Sequence, residues 1–117
     1  MTGKPTTFTH AYNAQPLTSG STIDMVFTPT VGVYTLSVVE NFTLNIDGGS
    51  AIGFYNFVFT MAGIGGYVMT LQASKFQYKT STPTLTTTVG RVDVMSGFFD
   101  GTKFVILDYL ADVTTTI

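Results

Sequence analysis

Residues able to act as nucleophiles, general acids or general bases are few in this chain and lie far apart. The only histidine, His10, stands in a polar N-terminal stretch, and no serine occupies the Gly-x-Ser-x-Gly pattern of an activated nucleophile. Glu40 is the only glutamate and the aspartates are scattered, so a pair of carboxylates for glycoside cleavage has little support. The chain has no cysteine, which excludes thiol catalysis, disulfides and zinc-thiolate sites. The sequence therefore predicts a protein that is not an enzyme.

Two aspartates need a separate explanation, because they stand among apolar residues of predicted strands. An ionised carboxylate in such a place is costly unless a partner compensates it. Arg91 and Lys103 are the nearest candidate partners of Asp93 and Asp108, so we expect structural ion pairs. Calcium bound between carboxylates is the alternative, but the chain lacks the Asp-x-Asp-x-Asp spacing that would support it. The glycine-rich residues 63–66 are not a phosphate loop, since no predicted helix follows them. We expect no metal and no cofactor.

The balance of charge limits the kinds of partner. Charged residues make up 10% of the 117 residues, against about 25% in an average soluble domain, and the net charge is −2. The five cations are dispersed and the pI is near 4.9, which argues against binding to nucleic acid. A surface of this kind gives little charge repulsion between copies. We therefore expect much of it to be covered by partner proteins.

One uncharged segment, residues 48–74, is long enough to span a bilayer as a helix. It nevertheless holds six glycines, and its centre is β-branched and aromatic with Asn56 in the middle. These features predict a hairpin instead, with strands at 54–61 and 67–72 joined by the glycine-rich turn at 63–66. The N-terminus lacks the apolar core of a signal peptide. We expect no membrane span and no export by the general secretory route.

Alternation of apolar and polar residues predicts short strands along most of the chain. The clearest are residues 22–27, 33–39 and 42–46, and no window shows helical periodicity of useful length. The residues that alternate onto one face of these strands are Ile23, Met25 and Phe27, then Tyr34, Leu36 and Val38, and then Phe42, Leu44 and Ile46. Asp100 and Gly101 form the strongest turn signal, which joins strands at 91–99 and 103–109. With the hairpin above and a short strand near residue 76, about eight strands predict a single antiparallel β-sandwich, jelly-roll-like or immunoglobulin-like.

The first 20 residues differ from this body, because polar residues dominate and apolar ones are isolated. We divide the chain into an extended N-terminal arm, residues 1–20, and a β-sandwich domain, residues 21–117. A disordered terminus is one interpretation of the arm. The other is a segment that docks on a neighbouring subunit, with Phe8 and Tyr12 as its anchors, since aromatic residues supply large contact area at low entropic cost.

Aromatic residues are abundant, with ten phenylalanines and six tyrosines but no tryptophan. Most must fill the space between two sheets. The phenylalanines expected in the core are Phe42, Phe57, Phe59, Phe76, Phe98 and Phe104. The lack of tryptophan weakens a carbohydrate-binding interpretation without removing it, because six tyrosines remain available to stack on sugars. They are Tyr12, Tyr34, Tyr55, Tyr67, Tyr78 and Tyr109.

One stretch, residues 83–105, combines four features. They are a Pro-x-Leu-Thr run, a strand with Asp-Val, an Asp-Gly turn and a strand that begins with an aromatic residue, in the sequence PTLTTTVGRVDVMSGFFDGTKFV. The positions that carry this pattern are Pro83, Leu85, Thr86, Asp93, Val94, Asp100, Gly101 and Phe104. The pattern resembles the closing β-module of tailed-bacteriophage virion proteins, which occurs in tail fibres and in small head-decoration subunits. Two positions depart from that family. It usually has tryptophan in place of Phe104, and often another tryptophan, followed by glycine, in place of Phe76.

The resemblance implies a non-enzymatic structural protein of the virion. We expect a capsid decoration, or cement, protein that binds the major capsid protein on the outer capsid surface and stabilises the shell. It would be made in the host cytoplasm and would form a homo-oligomer, with a trimer favoured. The alternative is a tail-fibre or receptor-binding module that recognises host-surface glycans.

Overall fold

Nine β-strands and no helix make up the regular structure of residues 13–113, the part of the chain that the computed structural model describes. The strands are β1 (Asn13–Pro16), β2 (Thr22–Met25), β3 (Val31–Val38), β4 (Phe42–Ile46), β5 (Gly53–Met61), β6 (Met69–Leu71), β7 (Phe76–Gln77), β8 (Val92–Phe99) and β9 (Phe104–Leu110). Within those residues there is no helix long and apolar enough to cross a membrane. The all-β class predicted from the sequence is confirmed.

The strands form two sheets, and the first six strands alternate between them. The large sheet has the order β1-β3-β5-β8-β9-β7, and the small sheet has the order β2-β4-β6. Strands β1, β3 and β5 run parallel to one another, as do β2, β4 and β6. Two successive strands, one in each sheet, therefore make one turn of the chain, and each turn stacks on the turn before it, as the coils of a short solenoid do. The antiparallel strands β8 and β9 then extend the large sheet beyond β5, and β7 pairs in parallel with β9.

The antiparallel arrangement expected from the sequence is wrong for five of the seven strand pairings. The predicted hairpin at 54–61 and 67–72 is also wrong, because β5 belongs to the large sheet and β6 to the small one. The glycine-rich connection carries the chain from one sheet to the other, and Gly63, Gly65 and Gly66 have φ values of 58°, 78° and 77°. The jelly-roll-like or immunoglobulin-like subtype is not confirmed.

The inner faces of the two sheets contribute to one hydrophobic core. Phe27 lies near its centre, 4.2 Å between ring centroids from Tyr55 and 5.3 Å from Phe104. The predicted alternation places the inward residues of β2, β3 and β4 correctly. Five of the six phenylalanines expected in the core are buried, but Phe98 is not, and its neighbour Phe99 is buried instead.

The predicted arm is divided by the structure. Asn13–Pro16 forms β1 and pairs with β3, and Leu17 packs against the core, so this part belongs to the large sheet. The proposed anchors Phe8 and Tyr12, and also His10, lie outside the described residues.

Candidate functional site: the outer face of the large sheet

Asp93 is the ionisable group that the sequence singled out, and the structure buries it without the expected ion pair. The residue is only 2% exposed on the inner side of β8. Its carboxylate accepts four hydrogen bonds from neutral donors. They come from the backbone N–H of Thr86 (2.8 Å), the hydroxyl of Thr86 (2.7 Å), the hydroxyl of Tyr109 (2.7 Å) and the backbone N–H of Asp112 (2.8 Å).

These contacts set the charge state of Asp93. Burial by itself would raise the pKa of the carboxyl. The hydrogen bonds from Asp112, Tyr109 and Thr86 outweigh that effect and hold the pKa below its ordinary value. Burial, the hydrogen bond to Asp93 and the charge of Asp93 raise the pKa of Tyr109, so its hydroxyl remains a donor. The carboxylate therefore holds three parts of the chain together through hydrogen bonds. They are the segment that precedes β8, strand β9, and the residues that follow β9.

The cations predicted to pair with Asp93 and Asp108 lie elsewhere. Arg91 precedes β8 and forms an exposed salt bridge with Asp112, at 3.1 Å between Nη1 and Oδ1. Asp108 is exposed on β9, where its carboxylate accepts a hydrogen bond from the backbone N–H of Tyr109.

Asp100 and Gly101 lie in the connection between β8 and β9. There Gly101 has a φ of 98°, and the carboxylate of Asp100 accepts hydrogen bonds from the backbone N–H groups of Thr102 and Lys103. Lys103 thus lies in this connection, and no salt bridge joins it to Asp93 or Asp108 within the described residues.

The outer face of the small sheet is polar, as expected for a surface in water. Its outward residues come from alternate positions of β2, β4 and β6, and a side-chain hydrogen bond of 3.0 Å joins two of them, Asn45 and Asp24. They are Thr22, Asp24, Thr43, Asn45 and Thr70. A sheet with one solvated face needs this alternation of apolar and polar residues.

The outer face of the large sheet has a different composition. Outward residues of β3, β5, β8 and β9 are aligned in rows by the strand register. The apolar ones are Val33, Phe54, Val58, Val92, Val94, Phe98, Val105 and Leu110, and the polar ones are Thr35, Ser37, Asn56, Thr60, Ser96 and Asp108. We call this set the outer face. More than half of its residues are apolar, whereas all five on the small sheet are polar.

Phe54 is the most exposed large residue of the outer face, at 65%. Its ring lies 4.8 Å from that of Phe98 on β8, and Val105 on β9 completes the row. Scattered apolar residues are common on protein surfaces, but a contiguous patch of this kind indicates an interaction site.

The polar residues of the outer face are nearly all uncharged. The hydroxyl of Ser96 donates a hydrogen bond of 2.6 Å to Oδ1 of Asn56 at the centre of the face. Asp108 is the one charged member, and it lies on the border strand β9. Desolvation of this face by a partner would therefore bury little charge.

The edges of both sheets are short. The edge strands β1 and β7 of the large sheet have 4 and 2 residues, and β2 and β6 of the small sheet have 4 and 3. Pro16 also removes a backbone donor from β1. Short edges of this kind are poor templates for adding a strand from another chain. A partner is therefore better accommodated by a face than by an edge.

A concave region lies beside β9. It is a groove of about 400 Å³ lined by Tyr78, Lys79, Ser81, Asp108 and neighbouring residues. Tyr78 is 47% exposed, whereas Tyr34 and Tyr55 are buried in the core. Among the five tyrosines within residues 13–113 that the sequence offered for sugar stacking, Tyr78 is therefore the one that a ligand reaches most easily.

Catalytic or metal-binding groups do not converge in residues 13–113. No three His, Cys, Asp or Glu side chains there are grouped so that they could hold a metal ion. The donors around Asp93 are all N–H or O–H groups, so they occupy its oxygens in place of a cation. Comparison with known protein families, with curated proteins and with solved structures found no match. The outer face is thus the strongest candidate for function in the described part of the chain.

Proposed function

We propose that this protein is a non-enzymatic structural protein of a virion, a capsid decoration or cement subunit that binds the outer surface of the capsid. The observation that supports this function best is the difference between the two sheets. One outer face is polar, while the other presents aligned valines and phenylalanines with almost no charge. A protein whose role is to cover and join other subunits needs such a surface. The sequence resemblance adds the virion as its setting.

The mechanism is stabilisation by mass action. A subunit that binds the assembled lattice but not the separate capsid proteins lowers the free energy of the assembled state. The two sheets, which share one core, would act as a β-sandwich platform that holds the outer face in a fixed shape. Preorganisation of this kind limits the entropy lost on binding. The major capsid protein is the expected partner, with Phe8 and Tyr12 of the N-terminal segment as additional anchors.

Localisation on intact particles tests this proposal. Particles assembled with the protein would be imaged after labelling with an antibody, and particles that lack it would serve as the control. Hundreds of copies spread over the head are the expected result. No copies on any part of the particle would contradict the virion assignment.

The groove beside Tyr78 supports a second candidate, a tail-fibre or receptor-binding module for host-surface glycans. An exposed tyrosine ring, hydroxyl groups and a carboxylate are the kinds of group that stack on and hydrogen-bond to sugars. A few copies confined to the tail end of the particle would favour this function. Tyr78→Ala should then abolish binding to a glycan array, while Tyr67→Ala, outside the groove lining, should leave it unchanged.

A further inference from the structure

The outer face is suited to being covered by a partner, and the outer faces of two copies of this chain match each other in their pattern of side chains. We propose that a second copy of this chain packs on it, face to face, about a two-fold axis that runs parallel to the strands between β5 and β8. A pair then takes the place of the trimer expected from the sequence. This inference rests on the proposed function's interpretation of the outer face as a covered surface, but not on the virion assignment. In the pair each copy covers the outer face of the other, so attachment of the pair to a capsid would fall to the N-terminal segments with Phe8 and Tyr12. A pair of this kind is isologous, because each copy uses the same patch.

The axis between β5 and β8 brings unlike residues of the same row opposite each other. Phe54 of one copy then faces Phe98 of the other, and Val58 faces Val94, because these residues are direct neighbours across the two strands. Rotation about the axis exchanges the two strands and keeps the rows. The apolar rows of one copy therefore meet the apolar rows of the other.

The central polar pair also matches itself. Ser96 already donates its hydroxyl proton to Oδ1 of Asn56. The amide of Asn56 keeps two N–H donors, and the oxygen of Ser96 keeps its capacity to accept. Across the axis Asn56 faces Ser96 of the other copy, so each amide donates to the opposite hydroxyl. Each hydroxyl and one N–H donor of each amide are thereby hydrogen-bonded when water leaves the interface.

Charge opposes the arrangement only at its borders. Asp108 is paired with Ser96 on the neighbouring strand, and β9 lies opposite β3 of the other copy. Asp108 therefore faces the region of Val33, while the two Asp108 side chains lie at opposite borders, about 14 Å apart for three strand spacings. The net charge of −2 on each chain adds little long-range repulsion at physiological salt.

The size of the outer face is also sufficient. Four strands spaced about 4.8 Å apart and about 26 Å long cover a projected area of about 500 Å² on each copy. The accessible surface of protruding side chains exceeds this projection, so a pair buries more than about 1,000 Å² in total, which is the range of specific interfaces. The short edge strands disfavour the competing arrangement, in which two large sheets join edge to edge.

Sedimentation and light scattering of the full chain test the proposal. The wild-type protein should have twice the mass of the 12.6 kDa chain, in a concentration-dependent equilibrium. Val94→Lys should weaken the pair about 100-fold or more, because the ammonium group is buried against Val58 without a partner. Thr22→Lys adds the same charge to the polar face of the small sheet and should leave the mass unchanged.

Mixing two variants tests the register. Val58→Glu and Val94→Lys should each be monomeric, whereas a one-to-one mixture should form heterodimers, since the introduced charges face each other across the axis. Heterodimer formation also shows that both variants are folded. Failure of the mixture to associate, a monomeric wild-type chain, or a trimeric mass would overturn the face-to-face pair.

The same samples separate this inference from the proposed function. A monomer in solution that still coats particles through the outer face would overturn the pair and leave the decoration function standing. A stable pair that is absent from particles would support the pair and contradict the virion assignment.

Discussion

At the scale of single residues, Asp93 shows how a buried charge is held without a cation. The sequence indicated that this carboxylate needed a partner, and that much was correct. Arg91 was the wrong choice, since it precedes β8 and is exposed, whereas Asp93 points into the interior. The actual donors, from Thr86, Tyr109 and Asp112, belong to three separate segments. Sequence spacing alone does not reveal that these donors converge on Asp93, because their convergence depends on how the three segments pack.

Asp93→Asn should destabilise the fold by about 2–4 kcal/mol. The amide keeps one acceptor oxygen and places an NH₂ group against donors, so about two hydrogen bonds are lost and their donors stay buried. Urea unfolding followed by circular dichroism measures the effect. Asp24→Asn is the matched control, since Asp24 is exposed on the small sheet, and it should change stability by less than about 0.5 kcal/mol. Equal stability of both variants would show that the four hydrogen bonds do not matter.

The lowered pKa of Asp93 also predicts how stability depends on pH. A carboxyl whose pKa is lower in the folded state stabilises the fold fully above its unfolded pKa of about 3.9. That contribution is lost as the pH falls through the lower folded pKa. The melting temperature of the wild type should therefore fall more steeply below about pH 4 than that of Asp93→Asn. Parallel curves for the two proteins over this range would contradict the assignment.

At the scale of strands, period-two alternation predicted which residues of β2, β3 and β4 face the core. It did not predict which strands pair, because parallel and antiparallel strands show the same alternation. The glycines at 63–66 indicated a turn, and a turn between two strands was interpreted as a hairpin. The chain instead crosses to the other sheet, and β5 pairs with β3 and β8. Pairing of this kind is set by the packing of the whole core.

Cysteine cross-linking tests whether β5 pairs with β3 or with β6, and the chain has no cysteine that would interfere. Ser37 and Thr60 are direct partners on β3 and β5, so Ser37→Cys/Thr60→Cys should form an intramolecular disulfide on oxidation. Thr60 and Val68 would be opposite each other in the hairpin expected from the sequence. The pair Thr60→Cys/Val68→Cys should stay reduced in dilute solution. Mass spectrometry after alkylation distinguishes the disulfide from the reduced thiols. A disulfide in Thr60→Cys/Val68→Cys but not in Ser37→Cys/Thr60→Cys would show that the predicted hairpin is correct.

At the scale of the whole molecule, the two outer faces divide the surface into a solvated side and a side suited to a partner. Composition predicted this only in general terms, because 10% charged residues indicate a covered surface without locating it. The location follows from the strand order, which places β3, β5, β8 and β9 side by side. It also follows from the register, which aligns their apolar residues. Both are long-range properties that local patterns do not contain.

The division of the chain into arm and body gives the last prediction. Because β1 begins at Asn13, deletion of residues 1–12 should leave both sheets intact, whereas deletion of residues 1–20 should also remove β1 and the packing of Leu17. The shorter deletion should keep a melting temperature close to that of the wild type and should lose attachment to particles, since it removes Phe8 and Tyr12. The full-length variant Phe8→Ala/Tyr12→Ala is the control for chain length. If both proteins occupied particles as fully as the wild type, attachment would have to be assigned to the folded body, and the outer face would be the surface to mutate next.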